Sequence, residues 1–267
     1  DSLFYRIERK DMHTFNDPSW YGYYGINAFS SMEYENLAVL ESKLGMPGNY
    51  INSFYYTDNT PIYNAIFNLK YIIGNMEDNN FYDLFFSDVI NNNFIYKSKV
   101  NSNLMYVVNK DIKSWDFLND NPFEIQNDFV SKSFGKDDVL EKYFLTDEKI
   151  EKLENVKINN DSIAKFDNGI VHKLDFNKNE GYIYISDNIN SIIIDGRLYT
   201  RNENNVYIDE SFDYFTSISL SESKVIHFNG IDSVYVAFNN EFDNDLYIYS
   251  VNEDKLNELN KTLVDNM

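Results

Sequence analysis

The sequence predicts an α+β protein: an N-terminal α/β region with a mixed sheet and flanking helices, then an antiparallel β-sandwich of jelly-roll kind and a short C-terminal helix. Helix start signals followed by apolar stripes at helical spacing occur early in the chain and again at its end. Between Val156 and Val251 the chain runs instead as short β-branched and aromatic stretches, separated by turn residues at near-regular spacing. Aromatic residues make up 17% of the chain, with 22 Tyr and 21 Phe, which favours strands and lets rings fill a core that holds little Leu. The change of character near Val156 divides the chain into 1–155, an α/β domain, and 156–267, a β-sandwich domain with the C-terminal helix; 267 residues suffice for one large domain or two ordinary ones.

Taken in order, Leu3 to Arg9 alternate as a strand, with Leu3, Tyr5 and Ile7 on one face and Phe4, Arg6 and Glu8 on the other. Asn16 to Gly25 reads as a loop, with Asp17-Pro18 and two glycines. Ser30 and Glu33 have capping-box spacing and predict a helix carrying Tyr34, Leu37, Leu40 and Leu44, stopped by Gly45 and Pro47. Thr60-Pro61 is an N-cap followed by a first-turn proline and opens a second helix. Lys70 to Ile73, ended by Gly74, and Leu104 to Val108 read as strands. Asn121-Pro122 opens a third helix with Phe123, Gln126, Phe129 and Val130 on one face, closed by Gly135. Asp195-Gly196, between Ile192–Ile194 and Arg197–Thr200, is a two-residue hairpin signal. Glu253 to Val264 is a polar helix with Leu256, Leu259 and Leu263 on one side.

Composition excludes several classes of function. A hydrophobic content of 43% is globular, yet no run approaches the roughly 20 apolar residues of a membrane helix. The chain opens on Asp1 without a signal peptide, as expected of a cytosolic protein or of an excised piece. With no cysteine there is no disulfide, zinc–thiolate site or thiol nucleophile. A formal net charge of −20 repels phosphate backbones and anionic lipid heads, so nucleic acid is not an expected partner and an anionic ligand needs a local basic pocket.

No catalytic set is proposed by the residues. His13, His172 and His227 lie far apart, and neither a paired-histidine zinc motif, a nucleophile elbow nor a phosphate loop is present. Acidic clusters at Glu77-Asp78, Asp137-Asp138, Asp209-Glu210 with Asp213, and Glu241 with Asp243 and Asp245 lack EF-hand spacing and read as solvated turns before they read as calcium ligands. Trp20-Tyr21, Tyr23-Tyr24 and Tyr55-Tyr56 lie in predicted loops, where rings either stack on sugars or roof the core. Arg6 and Glu8 share a strand face and Lys70 lies on a second strand, which allows either an ion pair or a small basic pocket for a phosphate or sugar.

Several of these pieces occur together in a particular order: Phe4-Tyr5-Arg6-Ile7-Glu8, Asn16-Asp17, Tyr21-Gly22-Tyr23-Tyr24-Gly25-Ile26, Phe29-Ser30-Ser31-Met32, Thr60-Pro61, Asn68-Leu69-Lys70-Tyr71-Ile72-Ile73, and Asn121-Pro122-Phe123-Glu124 with Gln126-Asn127. In that order they resemble the YfhO family of polytopic bacterial membrane proteins, over about the first half of the chain. The β half matches only in style, and Val107-Val108-Asn109-Lys110-Asp111-Ile112 departs from the Leu-Pro-rich turn usual in the family. The resemblance implies a parent similar to GT-C-type glycosyltransferases, which take a polyprenyl-phosphate-linked sugar and act on the outer face of the membrane, as in lipoteichoic acid decoration in Gram-positive bacteria. It implies that this chain is an extracytoplasmic domain cut from its transmembrane helices, with the catalytic acid and any cofactor outside it. The candidate ligand-binding residues are Arg6, Glu8, Asp17, Trp20, Tyr21, Tyr23, Ser30, Ser31, Lys70 and Tyr71, with no catalytic or metal-binding residue among them. An acceptor-binding module of a membrane glycosyltransferase and a structural or protein-interaction module both fit these expectations.

Overall fold

A computed structural model describes residues 4–32, 34–76, 78–100, 102–103, 105–143, 150–153, 155–157, 163–166, 171–176, 180–194, 197–201, 206–208, 217–219, 222–238 and 246–265. The first half holds strand β1 (Arg6–Arg9), helix α1 (Asp17–Tyr21), β2 (Ala28–Phe29), α2 (Glu35–Lys43), β3 (Ser53–Phe54), α3 (Pro61–Phe67), β4 (Leu69–Ile73), β5 (Tyr82–Asp88), β6 (Asn93–Ser98), a 3₁₀ turn at Lys110–Ser114, α4 (Pro122–Phe134) and β7 (Leu140–Lys142).

The caps explain where the helices start. Thr60 Oγ1 accepts from the Tyr63 amide at 3.2 Å, and Asn121 Oδ1 accepts from the Phe123 amide at 3.0 Å, each followed by a first-turn proline. Gly135 closes α4 at φ 65, a left-handed conformation that suits glycine. Helix α2 begins later than its capping signal predicts: Tyr34 is its N-cap residue and makes no side-chain cap, while Ser30 Oγ accepts from the Met32 amide ahead of the helix. Glu33 lies outside the described residues. The stretch read as a loop contains α1, because Asp17 ties the preceding turn and Pro18 presets the first helical φ. Met105 to Val108 forms no strand: Met105 and Val107 are exposed, and Leu104 lies outside the described residues. Strands β5 and β6, unforeseen in the sequence, complete a mixed sheet in the order β1-β4-β6-β5, with β1 and β4 parallel.

The second half holds β8 (Ile150–Leu153), β9 (Asn155–Lys157), β10 (Ile163–Phe166), β11 (Val171–Asp175), β12 (Glu180–Ile185), β13 (Ile189–Ile194), β14 (Arg197–Thr200), β15 (Val206–Ile208), β16 (Ser217–Ser219), β17 (Lys224–Asn229), β18 (Ser233–Phe238), β19 (Tyr247–Val251) and α5 (Glu253–Asp265). Two sheets face each other: β16-β14-β13-β18-β11-β8, antiparallel except for β14 with β16, and the antiparallel β17-β12-β19-β7. A smaller sheet runs β15-β10-β9, and among the described residues no sheet closes into a barrel. Ile194 pairs with Arg197, as a two-residue hairpin requires, although Asp195 and Gly196 lie outside the described residues.

The β17-β12-β19-β7 sheet is a shared wall. Along β12, Ile183 and Ile185 enter a core with Ile192, Val234 and Val236 of the opposite sheet, whereas Tyr182 and Tyr184 enter the core of the first half. Ile248 and Tyr249 of β19 divide in the same way. That first core therefore draws on both sides of Val156, and α5 closes it with Leu256, Leu259 and Leu263, each stabilising by roughly 1.5–3 kcal/mol. Three of its largest members are tyrosines whose hydroxyls find partners: Tyr56 with Tyr82 at 3.0 Å, Tyr63 donating to Glu41 at 2.6 Å, and Tyr249 donating to Glu124.

Candidate functional site

Two buried carboxylates hold the aromatic loop of the N-terminal segment. Glu8 turns from β1 into the interior and accepts from the amides of Ile26 (2.6 Å), Asn27 (2.9 Å) and Arg9 (2.9 Å), and from the Tyr23 hydroxyl at 3.3 Å. Burial pushes the Glu8 carboxyl above its ordinary value, and the amide bonds oppose that rise. Burial and the neighbouring Glu8 charge push the Tyr23 hydroxyl upward as well. Gly25 is needed here for close approach: a Cβ would stand 2.3 Å from Pro18 Cγ and 2.9 Å from Glu8 Oε2. Asp17 accepts from the amides of His13 (2.7 Å) and Thr14 (2.8 Å) and from the Thr14 hydroxyl (2.9 Å). Burial alone would raise its carboxyl, but these bonds outweigh it and hold Asp17 below its ordinary value. Asp17→Ala is expected to cost about 1–3 kcal/mol in urea unfolding. For wild type that contribution is present above the ordinary carboxylate range and is lost as pH falls through the lowered value, so the two proteins converge in acid.

These struts leave an open cleft of about 570 Å³ lined by Asn16, Ser19, Trp20, Asn27, Phe29 and Ser30. Asn16 Oδ1 accepts from the Phe29 amide at 3.0 Å and so fixes the cleft width. Trp20 is 79% exposed, and Tyr21, Tyr24, Met32 and Tyr34 are exposed nearby in sequence. Of the residues singled out in the sequence, Trp20 and Ser30 line the cleft. Tyr21 follows Trp20 on α1, and exposed Ser31 follows Ser30; Glu8, Asp17 and Tyr23 are struts beneath. Arg6 points elsewhere: its guanidinium donates to the Phe67 carbonyl at 2.6 Å. Lys70 and Tyr71 also stand apart, with the Lys70 ammonium 5.0 Å from the Tyr5 ring centre and 5.6 Å from that of Tyr71.

A second, narrower cleft of about 300 Å³ lies where the two halves meet, lined by residues that include Lys43, Tyr50, Asp120, Tyr184, Asp187 and Tyr247. Lys43 pairs with Asp120, and Asp187 accepts from Ser223 Oγ at 2.6 Å and stands 3.3 Å from the Arg201 guanidinium. The rings of Tyr184 and Tyr247 are nearly parallel, 6.3 Å apart. Its lining comes from segments scattered between Ser42 and Tyr247, so no local motif announces it. None of the histidines lines either cleft. The Trp20 cleft offers an exposed ring with amide and hydroxyl groups, and the second cleft adds Lys43, Asp120 and Asp187.

The family described as bacterial membrane protein YfhO matches residues 1–263. The chain belongs to the YfhO family. No curated protein matches the chain, and no solved structure does. The match extends through the β half, where the sequence resembled YfhO proteins only in style, and so includes both clefts. Among the described residues no helix is long and apolar enough to cross a membrane.

Proposed function

We propose that this chain is the extracytoplasmic domain of a YfhO-type membrane glycosyltransferase, that it binds or positions a cell-envelope polymer acceptor such as lipoteichoic acid or the lipid-linked sugar, and that it is not catalytic alone. The observation that carries the reading is the YfhO match over nearly the whole chain. The Trp20 cleft supports it, because an exposed indole beside Asn16, Ser19 and Ser30 combines a stacking plate with hydrogen-bonding groups. An acceptor held there gains effective concentration at the membrane without any chemistry in this chain. The displacement of lipid phosphate by an acceptor hydroxyl, with a carboxylate as base, then belongs to other parts of the parent.

A second reading, in which the domain braces the membrane part or recruits a protein, is favoured by the fate of the cations. Arg6 is bound to a carbonyl, Arg9 Nε donates to the Asp11 carbonyl at 2.9 Å, and Lys10 pairs with Asp58 at 2.9 Å. These side chains serve internal partners, so a polymer in the Trp20 cleft is read through its sugars rather than its phosphates. Calorimetric titration with purified lipoteichoic acid, glycosylated and unmodified, separates the readings. Saturable heat that survives moderate salt and weakens about tenfold or more in Trp20→Ala supports acceptor binding. The melting temperature of that variant is expected to stay near wild type, since the side chain is exposed. No heat with either polymer leaves the bracing reading.

A further inference from the structure

The β1-β4-β6-β5 sheet turns one face to the core and the other away from it. Residues directly opposite on neighbouring strands share a face. Glu8, Ile72 and Tyr96 share the core face; Ile7, Tyr71 and Lys97 share the outer one, as do Arg9, Ile73 and Ile95. Ile7, Tyr71, Ile73 and Ile95 are half-buried, yet none of them packs against either apolar core among the described residues.

A bulge enlarges this outer surface. Phe86 lies opposite Ile95, and the extra residue, Phe85, places its ring centre 5.1 Å from that of Tyr71. Two consecutive phenylalanines therefore point to the same side, which a regular strand forbids. They are 62% and 51% exposed, and the hairpin tip beyond them carries Val89 and Ile90, 76% and 95% exposed. Leu84, on the opposite face, is also exposed. The turn is closed by Asn92, at φ 52, whose amide donates to the Val89 carbonyl at 3.3 Å, and by Asn91, whose side chain donates to Asp88 at 2.7 Å.

Exposed apolar surface of this kind meets either a protein or a membrane. The hairpin exposes apolar side chains on both faces, and Val89 and Ile90 at its tip stand between Asp88 and Asn91; a folded partner would cover one face, whereas lipid meets both faces of an inserted tip. From Tyr82 to Ile95 there is no Lys or Arg and the acids are Asp83 and Asp88, while Lys97, opposite Tyr71, and Lys70 lie farther from the tip than Phe86 and Ile95. Exposed apolar side chains nearest the tip, with Tyr71 and the two lysines together behind them, match acyl chains followed by the interfacial zone. The family is also one of membrane proteins. We infer that the β5–β6 hairpin inserts its tip into a lipid bilayer, with the outer face of the sheet resting on the headgroups. This inference needs only the family membership, not polymer binding.

The chain has no cysteine, so Ile90→Cys accepts a single environment-sensitive fluorophore. With millimolar phosphatidylcholine vesicles, with or without a minority of phosphatidylglycerol, its emission is expected to shift to the blue and to be quenched by acyl-chain nitroxides. The same label on Asp137→Cys is expected not to respond. In vesicle pelleting, the double variant Phe86→Asp with Ile90→Asp is expected to lose bound fraction by about tenfold or more, at unchanged melting temperature and with lipoteichoic acid titration as in wild type. Overturning results are an Ile90 label that ignores lipid at millimolar concentration, pelleting unchanged in the double variant, or a label that responds to protein concentration alone, which would assign the patch to a second copy of this chain.

Discussion

Phe123→Ala is expected to destabilise the protein by about 3–5 kcal/mol, the usual cost of emptying a large aromatic site in a packed core. Phe123 is fully buried in the first turn of α4, with its ring centre 4.6 Å from that of Tyr249 on β19. The Asn121 side chain beside it donates to the Tyr249 hydroxyl at 2.9 Å, so one helix start is joined to a strand more than a hundred residues away. The loss should therefore appear in both halves together. Urea unfolding followed by fluorescence of Trp115, which packs on Phe129, and by far-ultraviolet circular dichroism, dominated by the strands, checks this. Coincident shifts in both signals are expected; a shift in fluorescence alone would show the sandwich to be independent of α4.

Glu41→Gln is expected to change how stability depends on pH by about 3 kcal/mol between roughly pH 5 and pH 7.5. Glu41 lies in α2, almost wholly buried, and accepts from the Tyr63 hydroxyl at 2.6 Å. Burial pushes its carboxyl up to about 8, against the pull of the Tyr63 bond and the Arg6 charge. Between its ordinary 4.5 and about 8 the folded protein keeps a proton that the unfolded chain has released. Wild-type stability from this group therefore falls as pH rises through that window and levels off above it. Glutamine has no such proton, so the difference between variant and wild type moves in favour of the variant as pH rises. Denaturant midpoints of the two proteins that run parallel from acid to neutral pH would refute the assignment.

Where the sequence is explicit about backbone chemistry, it is legible. Thr60-Pro61 and Asn121-Pro122 fix two helix starts because a side-chain acceptor and a preset φ act locally. Strands β12 and β19 are readable because both of their faces are apolar and enter two different cores. Strand β5 is not, because the bulge at Phe85 breaks the period of two and its apolar residues are exposed, which removes the pattern that marks a half-buried strand. Met105 to Val108 shows the reverse: a run that reads as a strand but is exposed at Met105 and Val107 and takes no strand structure. At the candidate site, the sequence points to Trp20 and Ser30 but gives no sign that Glu8 and Asp17 are struts. That role depends on the amides of Ile26, Asn27, His13 and Thr14, and backbone donors carry no signature in a sequence. The cleft between Lys43 and Tyr247 is assembled only by tertiary folding.

The shared wall also sets a timetable for synthesis. Strand β7 finds its partner in β19, Leu140 opposite Val251, so a ribosome must add more than a hundred residues after β7 before that ladder can form. At the usual elongation rate the wait is on the order of 5–20 s. Throughout it the nascent first half lacks Tyr182, Tyr184, Tyr249 and the α5 leucines that seal its core. A chain of such high contact order folds late and exposes apolar surface while it waits. Cells making this protein are expected to depend on a holding chaperone during that interval, and a version truncated before β19 is expected to aggregate rather than to yield a smaller folded unit.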